Sequence, residues 1–327
     1  HRYGPHIFHT ADERVYRFAS RFTEWYPLRH RVLADVHGQM LPVPFNLLSL
    51  RMAFEGEQAQ RMEQRLTEAF GYGARVSILE LKKREASELR ALAAYVYENV
   101  FRYYTQKQWD AAPDALDPAA MARVPVLVSE DCGYFQDPWQ GMPAKGYSAL
   151  FAEMLNHPAI TVRLGVDACE HLQPGEGTLL LDGKPCAEPV VYTGALDALF
   201  GYKLGRLPYR TLDFAFETLP VDSYQPVGVV NYTVDQPYTR ITEFKKLTGQ
   251  TLAGVTTIAR EYPRACEPGD EPYYPIPDEA SAQRYAAYRQ EAQKIPNLTL
   301  LGRLAEYRYY NIDAMIGRAL DVAAILP

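Results

Sequence analysis

At 327 residues, 47% hydrophobic and 23% charged, the chain has room for two or three packed domains of ordinary composition. A net charge of -6, from 34 basic and 40 acidic residues, gives no basic field for a phosphate backbone, and no apolar run reaches the ~18 residues that span a bilayer. Neither a nucleic acid nor a membrane is expected as a partner.

The chain opens on His1, directly in the dense segment HRYGPHIFHT. An aromatic helix with Val15, Phe18 and Phe22 at helical spacing leads to a hairpin, HRVLADVHGQMLPVPF, turning at His37-Gly38. From about Glu57 to Phe70, and again from Glu85 to Tyr104, the pattern is helical, with Leu89, Leu92, Ala93, Val96 and Val100 on one apolar stripe. After the loop DPWQGMPAKG a short helix, YSALFAEML, precedes the alternation of Ile160, Val162, Leu164 and Val166, which predicts a strand. PVVYTG running into ALDALFGY reads as a strand-to-helix unit of a parallel sheet. Residues 207–262 alternate in several stretches, among them Leu212-Phe214-Phe216, VGVVNYTV and RITEF, and predict an antiparallel sheet. The end returns to α/β order: a helix from Ala282 to Lys294, the strand LTLLGRL, and a helix from Asp313 to Leu326 with Met315, Ile316, Ala319, Leu320 and Ala323 inward. The prediction is therefore an α/β protein with mixed α+β inserts. A discontinuous domain (1–24, 140–206 and 277–327) carries a helical insert (50–104) and an antiparallel-sheet insert (25–49, 105–139 and 207–276).

Cys132, Cys169, Cys186 and Cys266 lie far apart, which writes neither a zinc site nor a disulfide framework and suits a reducing cytoplasm. Tyrosine, at 24 against 13 phenylalanines, often sits beside arginine, as in LPYR, PYTR, EYPR and YRYY. Arg123, Arg206, Arg210, Arg240 and Arg303 all lie near tyrosines and glycines. Guanidinium forks pair bidentately with phosphate and phenols add neutral donors, so such a pocket suits a diphosphate. The competing reading is a set of stacked surface pairs. Tyr104 and Trp109 bracket YTQKQW at a helix end, where rings stack on a nucleobase or plug the gap between helical and sheet domains. His6 and His9 form HxxH without the HExxH carboxylate or a third ligand, which argues for an imidazole presented to a cofactor rather than a metal. No GxSxG, Walker or GxGxxG motif occurs, and Asp137, Glu243, Glu261 and Asp313 show no spacing that points to acid–base work. The residues alone support a small ligand bearing a diphosphate.

The ordered set GPHIFHT (4–10), LPVPFN (41–46), YTQKQW (104–109), RVPV with GYF and QGMP (123–143), YTGALD (192–197), YRTLDF (209–214), PYTRITE (237–243), EYPRAC (261–266), EPYYPI (271–276) and GRLAEYRYYNIDAMI (302–316) resembles the bacterial UDP-galactopyranose mutases over essentially the whole chain. The resemblance implies that the discontinuous domain is a Rossmann-like FAD-binding domain. Family members open with a βαβ unit bearing GxGxxG. The sequence lacks that unit, so N-terminal truncation is expected. The implied activity is interconversion of UDP-galactopyranose and UDP-galactofuranose with FAD, the reduced flavin N5 acting as nucleophile on the anomeric carbon. By the same resemblance Arg123 and Arg240 clamp the diphosphate. Tyr134, Tyr274 and Tyr309 bond the phosphates, Tyr104 stacks on uracil, Trp109 stands near the sugar, and Asn231 and Asn46 border the substrate. His6 and His9 lie beside the flavin, and Arg303, Asn311, Ile312 and Asp313 contact it. The sequence departs from the family at Leu127, at Asn311 where an aspartate is usual, and at Asp110 where a glycine is common; a stiffer backbone is expected there. NAD(P)H or another reductant and a homodimer are implied as well. Two other readings stand beside the mutase: a nucleotide-sugar-binding remnant unable to hold FAD, and an amine-oxidase-like flavin oxidoreductase.

Overall fold

The structure, a computed structural model, describes residues 2–110, 125–276 and 278–326. The chain enters through β1 (Phe8–Thr10), α1 (Glu13–Ala19) and β2 (Trp25–Pro27), then forms the hairpin β3 (Val32–Val36) and β4 (Gln39–Val43). Its turn has positive φ at both His37 (53°) and Gly38 (87°), the backbone that a two-residue hairpin requires. Helices α2 (Leu47–Ala53) and α3 (Gly56–Phe70), strand β5 (Arg75–Val76), then α4 (Ile78–Lys82) and α5 (Ser87–Val96) follow. A π-helical stretch (Tyr97–Arg102) carries α5 into α6 (Tyr103–Trp109). The predicted stripe is buried throughout, Val100 being the most exposed at 7%.

After β6 (Val126–Leu127) and β7 (Trp139–Pro143) come α7 (Gly146–Leu155), α8 (Ala168–His171) and a small meander, β8 (Leu172–Pro174), β9 (Leu179–Leu181) and β10 (Lys184–Cys186). β11 (Val190–Tyr192) leads to α9 (Leu196–Leu199). Then β12 (Tyr209–Leu219), β13 (Val229–Tyr232), β14 (Arg240–Glu243), α10 (Lys245–Thr248), β15 (Thr256–Ala265) and β16 (Tyr274–Pro275) build the largest sheet. The chain closes with α11 (Glu279–Gln293), β17 (Leu298–Leu300) and α12 (Ile312–Ala323).

Seven strands, in the order β16-β12-β15-β14-β13-β3-β4, form this sheet. All its pairings are antiparallel except β13 against β3, so the prediction for 207–262 is right, with one parallel junction that recruits the N-terminal hairpin. One apolar cluster joins that hairpin to the helices, from Val32 and Leu41 through Leu50, Leu66 and Leu92 to Val128 and Val229. A second gathers Tyr192, Leu196, Tyr209 and Tyr288 around β11 and α11. β11 and β17 pair in parallel, as the PVVYTG run predicts.

Two expectations fail. Residues 160–166 form no strand, and Ile160, Val162, Leu164 and Val166 are all exposed, Leu164 at 89%. Alternation describes faces and does not supply a ladder, and no described strand pairs with this segment. On α12, Met315, Ile316, Ala319 and Leu320 are only half-buried, Ala323 is exposed, and Val322 is the buried position. Ile316 and Leu320 do pack against Phe8, Val15 and Ala19.

Candidate functional site

One row of register partners crosses the large sheet: Ala34 on β3, Asn231 on β13, Arg240 on β14, Glu261 on β15 and Phe214 on β12. Partners opposite one another project to the same face. Arg210 and its partner Tyr274 share that face, since Arg210 stands four residues, an even number, before Phe214.

Arg240 is the charge at the centre. Its Nε donates to Glu261 Oε2 at 2.7 Å, and Glu261 is 1% exposed. Burial works against the Arg240 charge, but the Glu261 carboxylate outweighs it and holds the guanidinium protonated well above its ordinary range. Burial pushes the Glu261 carboxyl up, with Arg240 opposing. Glu261 Oε1 has no partner among the described residues. Close by is Gly4 (φ +88°), where a Cβ would lie 3.7 Å from that oxygen and 3.1 Å from the Phe214 ring. Glycine is what this approach requires.

Tyrosines surround this pair. Tyr104 and Tyr274 both feel the Arg240 charge, and Tyr134 and Tyr309 act on Tyr104. Burial pushes the Tyr104 phenol up to about 12, against the pull of Arg240, and burial raises Tyr274 too, so both stay neutral donors at neutral pH. Tyr274 stacks on Tyr309 with centroids 6.0 Å apart, and the Trp109 ring meets Tyr274 edge-on at 5.9 Å. Arg303 stands 4.6 Å over the Tyr309 ring while donating to the Tyr273 and Tyr310 carbonyls at 3.0 and 2.7 Å.

Histidines form a second patch. His9 Nδ1 hydrogen-bonds Asp137 Oδ2 at 2.6 Å, and the His9 ring stacks on Phe135 at 3.5 Å. His30 is 4% exposed, edge-on to Tyr134 at 5.6 Å, and the Tyr134 backbone N–H donates to the His30 carbonyl. Burial, then the Arg240 and His9 charges, push the His30 imidazole down to about 4. His6 bonds the Gly4 carbonyl through Nδ1 at 3.1 Å and lies edge-on to Tyr147 at 6.4 Å. The protein atoms around His6, with Arg303 and Arg240, lower its pKa despite that bond. The Tyr147 hydroxyl is buried with no partner among the described residues, and burial raises its pKa.

Contacts, register and charge effects thus link Tyr104, Trp109, Tyr134, Asn231, Arg240, Tyr274, Arg303, Tyr309 and His6 in one neighbourhood. His9 is tied to Asp137 at its side. Asn311 caps α12 without a side-chain bond, Ile312 packs against the Phe8 cluster, and Asp313 is half-buried in the first turn. Arg123 lies outside the described residues.

Other expected residues are engaged within the protein. Asn46 is 1% exposed, its Oδ1 accepts from the Ser49 N–H and hydroxyl, and its Nδ2 donates to the Asp131 carbonyl. Its amide is consumed in capping α2. Arg206 stacks on Tyr202 at 3.7 Å, as the surface-pair reading has it, and Arg210 donates to carbonyls of α6. Glu261 and Asp137 do have partners, although sequence spacing showed none. Glu261 and His30 are the residues that sequence reasoning missed. A signal existed for Glu261, a carboxylate in a strand stretch, TTIAREY, near PYTR; only the register reveals that the two meet.

A family profile described as UDP-galactopyranose mutase matches residues 99–309. A probable UDP-galactopyranose mutase of Klebsiella pneumoniae is 36% identical over 99% of this chain and 80% of its own length. A dTDP-fucopyranose mutase of Escherichia coli is 32% identical over 99% of this chain and 84% of its own. Among solved structures, a reduced UDP-galactopyranose mutase superposes with a TM-score of 0.65 at 14% identity, covering 98% of this chain and 84% of that one. On the family profile and the full-length relatives, this chain belongs to the UDP-galactopyranose mutase family.

Proposed function

We propose that the chain interconverts UDP-galactopyranose and UDP-galactofuranose with FAD. The observation that carries the reading is Arg240, a half-buried cation held by the buried Glu261 within a ring of neutral phenols. Such a centre binds a diphosphate and stabilises the negative charge on departing UDP. Tyr134, Tyr274 and Tyr309 supply hydroxyl donors to phosphate oxygens, Tyr104 a ring for uracil, and Trp109 and Asn231 the border of the sugar. Arg123 is the proposed second clamp.

The residues present fit a flavin. The unpartnered Tyr147 hydroxyl beside His6 and the α12 N-terminus, which lacks a side-chain cap, offer polar groups toward a heteroaromatic edge. His6, His9, Arg303, Asn311, Ile312 and Asp313 would hold it. A bound reduced flavin supplies a nucleophilic nitrogen, N5. The protein's part is to orient the nucleotide sugar, hold the diphosphate charge and favour the neutral form of His6 there. NAD(P)H or another cellular reductant, a cytoplasmic setting and a homodimer belong to the same reading. No helix among the described residues is long and apolar enough to cross a membrane.

A second sugar nucleotide is favoured by one observation, the 32% identity to a dTDP-fucopyranose mutase. The test incubates the FAD-supplemented full chain with each sugar nucleotide, before and after dithionite reduction, and separates pyranose from furanose by chromatography. Furanose only after reduction is expected, with the faster substrate deciding between uridine and thymidine nucleotides. Equal turnover with oxidised FAD, or stoichiometric flavin binding with no furanose from either substrate, overturns the proposal. Turnover of an amine without a sugar nucleotide would favour the oxidoreductase.

A further inference from the structure

Two cations, the half-buried Lys107 and the buried Arg210, line a cavity of about 600 Å³ beside Tyr103 and Arg264, yet both spend their donors on backbone carbonyls. Arg210, 4% exposed on β12, donates from Nε to the Gln108 carbonyl at 3.0 Å and from Nη2 to the Lys107 carbonyl at 3.3 Å. These are two of the last carbonyls of α6, the groups a helix end leaves without intrahelical partners. A cation there also meets the negative end of the helix dipole. The nearest carboxylate oxygen, Asp110 Oδ2, lies 3.6 Å from Nη1 on an exposed residue with φ 55°. Lys107 reaches the other way. Its Nζ donates to the Tyr232, Gln236 and Tyr238 carbonyls at 2.5, 2.9 and 3.3 Å, which uses every proton an ammonium has. Those carbonyls belong to the last residue of β13 and to its connection to β14, whose flanking register partners are Asn231 and Arg240. Taking the Arg210 guanidinium fully, and the Lys107 ammonium partly, out of water for helix and strand-end carbonyls costs desolvation that an apolar contact would avoid, so the arrangement calls for an explanation beyond cohesion.

We infer that Lys107 and Arg210 are positioning residues, a two-sided clamp that fastens the last turn of α6 between β12 and the β13–β14 connection. The clamp sets where Tyr104 and Trp109 stand relative to Arg240 and Tyr274. Lys107 lies three residues beyond Tyr104, on the same side of the helix. Trp109 meets Tyr274, and Tyr274 is the register partner of Arg210. Each cation thus ties a nucleotide-facing ring to the strand that carries its counterpart. The inference rests on the proposed role of Tyr104 and Trp109 in nucleotide binding.

The test uses the full chain with UDP as the probe, measuring affinity by calorimetry and local opening by amide hydrogen exchange. Lys107→Met and Arg210→Met are each expected to weaken UDP binding about tenfold, the size of a lost charge-assisted hydrogen bond. Exchange should quicken in 103–110, and for Lys107→Met in 232–239 as well, leaving the other strands unchanged. Arg210→Lys keeps the charge but loses the fork, so a drop of about threefold is expected; this variant decides the question if the methionine variants do not fold. Faster exchange with UDP affinity within about twofold of the parent would make the contacts merely cohesive and overturn the clamp. Tyr104→Ala separates the clamp from the nucleotide-binding role. If it loses UDP while Lys107→Met keeps it, the clamp alone fails; if both keep it, the nucleotide-binding reading fails with it.

Discussion

Arg240 and Arg206 look alike in the sequence, each an arginine close to a tyrosine in a stretch rich in turn residues. In the structure they differ in kind. Arg206 stacks on Tyr202 in a loop, and its neighbourhood is satisfied by surface contacts. Arg240 sits in a cross-strand row, bonded to a carboxylate that is 1% exposed, with phenols from α6, β16 and the loop before α12 around it. Adjacency in sequence is thus a poor guide to a charge's use. What separates the two is whether the fold takes the cation partly out of water and leaves part of its surroundings unpaired among the described residues, as at Glu261 Oε1.

Truncating both arginines puts this contrast under the greatest strain. Arg240→Ala is expected to weaken UDP binding by about 2–5 kcal/mol in calorimetry, the range for removing one partner of a buried charge pair. An unchanged affinity would erase the distinction. The buried neighbourhood also predicts an acid limit. His30 has its pKa at about 4 in the folded chain against ~6.5 unfolded, so as pH falls from 6.5 toward 4 the unfolded state takes up the proton first. Stability contributed by the neutral ring is therefore complete above about 6.5 and declines by on the order of 3 kcal/mol by pH 4. Urea unfolding at a series of pH values should show this slope, and His30→Gln should flatten it.

Tyr104→Ala tests the ring beside the cation and should cost about 1–3 kcal/mol of UDP affinity, as loss of a base-stacking platform does. Glu261→Gln keeps the shape and one hydrogen bond but removes the charge that holds Arg240, and about 1 kcal/mol of UDP affinity should go with it. A tighter complex would instead mean that Glu261 competes with the diphosphate for the guanidinium. Smallest of all, Arg206→Ala should shift UDP affinity and stability by no more than about 0.5 kcal/mol, as exposed substitutions do.

Local pattern carried much of the fold. The hairpin at His37-Gly38, the helical stripe from Leu89 to Val100 and the parallel strand at Val190–Tyr192 all follow from periodicity and turn chemistry, which act over a few residues. The segment from Ile160 to Val166 shows the limit, because a strand exists only if another strand offers its edge. The site divides in the same way. The resemblance named Arg240, Tyr104, Tyr274 and Asn46, but that Asn46 caps α2 is decided by which donors its own turn presents. Glu261 and His30 stayed hidden because their significance lies in cross-strand register and burial, neither of which spacing encodes.

The parallel junction between β13 and β3 has a consequence for how the protein comes into being. Val32 pairs with Val229, a closure of roughly 200 residues, and the entropy of such a loop must be met before the pairing is rewarded. During synthesis the β3–β4 hairpin emerges early and waits with its β3 edge open, a template for wrong partners until the far strand arrives. Arg240 follows β13 by a few residues, so the row from Ala34 through Asn231 to Arg240 is completed only when this long closure is made. The site's sheet is in this sense a late product of biogenesis, and a nascent chain halted before Val229 would carry the hairpin and β12 but none of Asn231, Arg240 and Glu261.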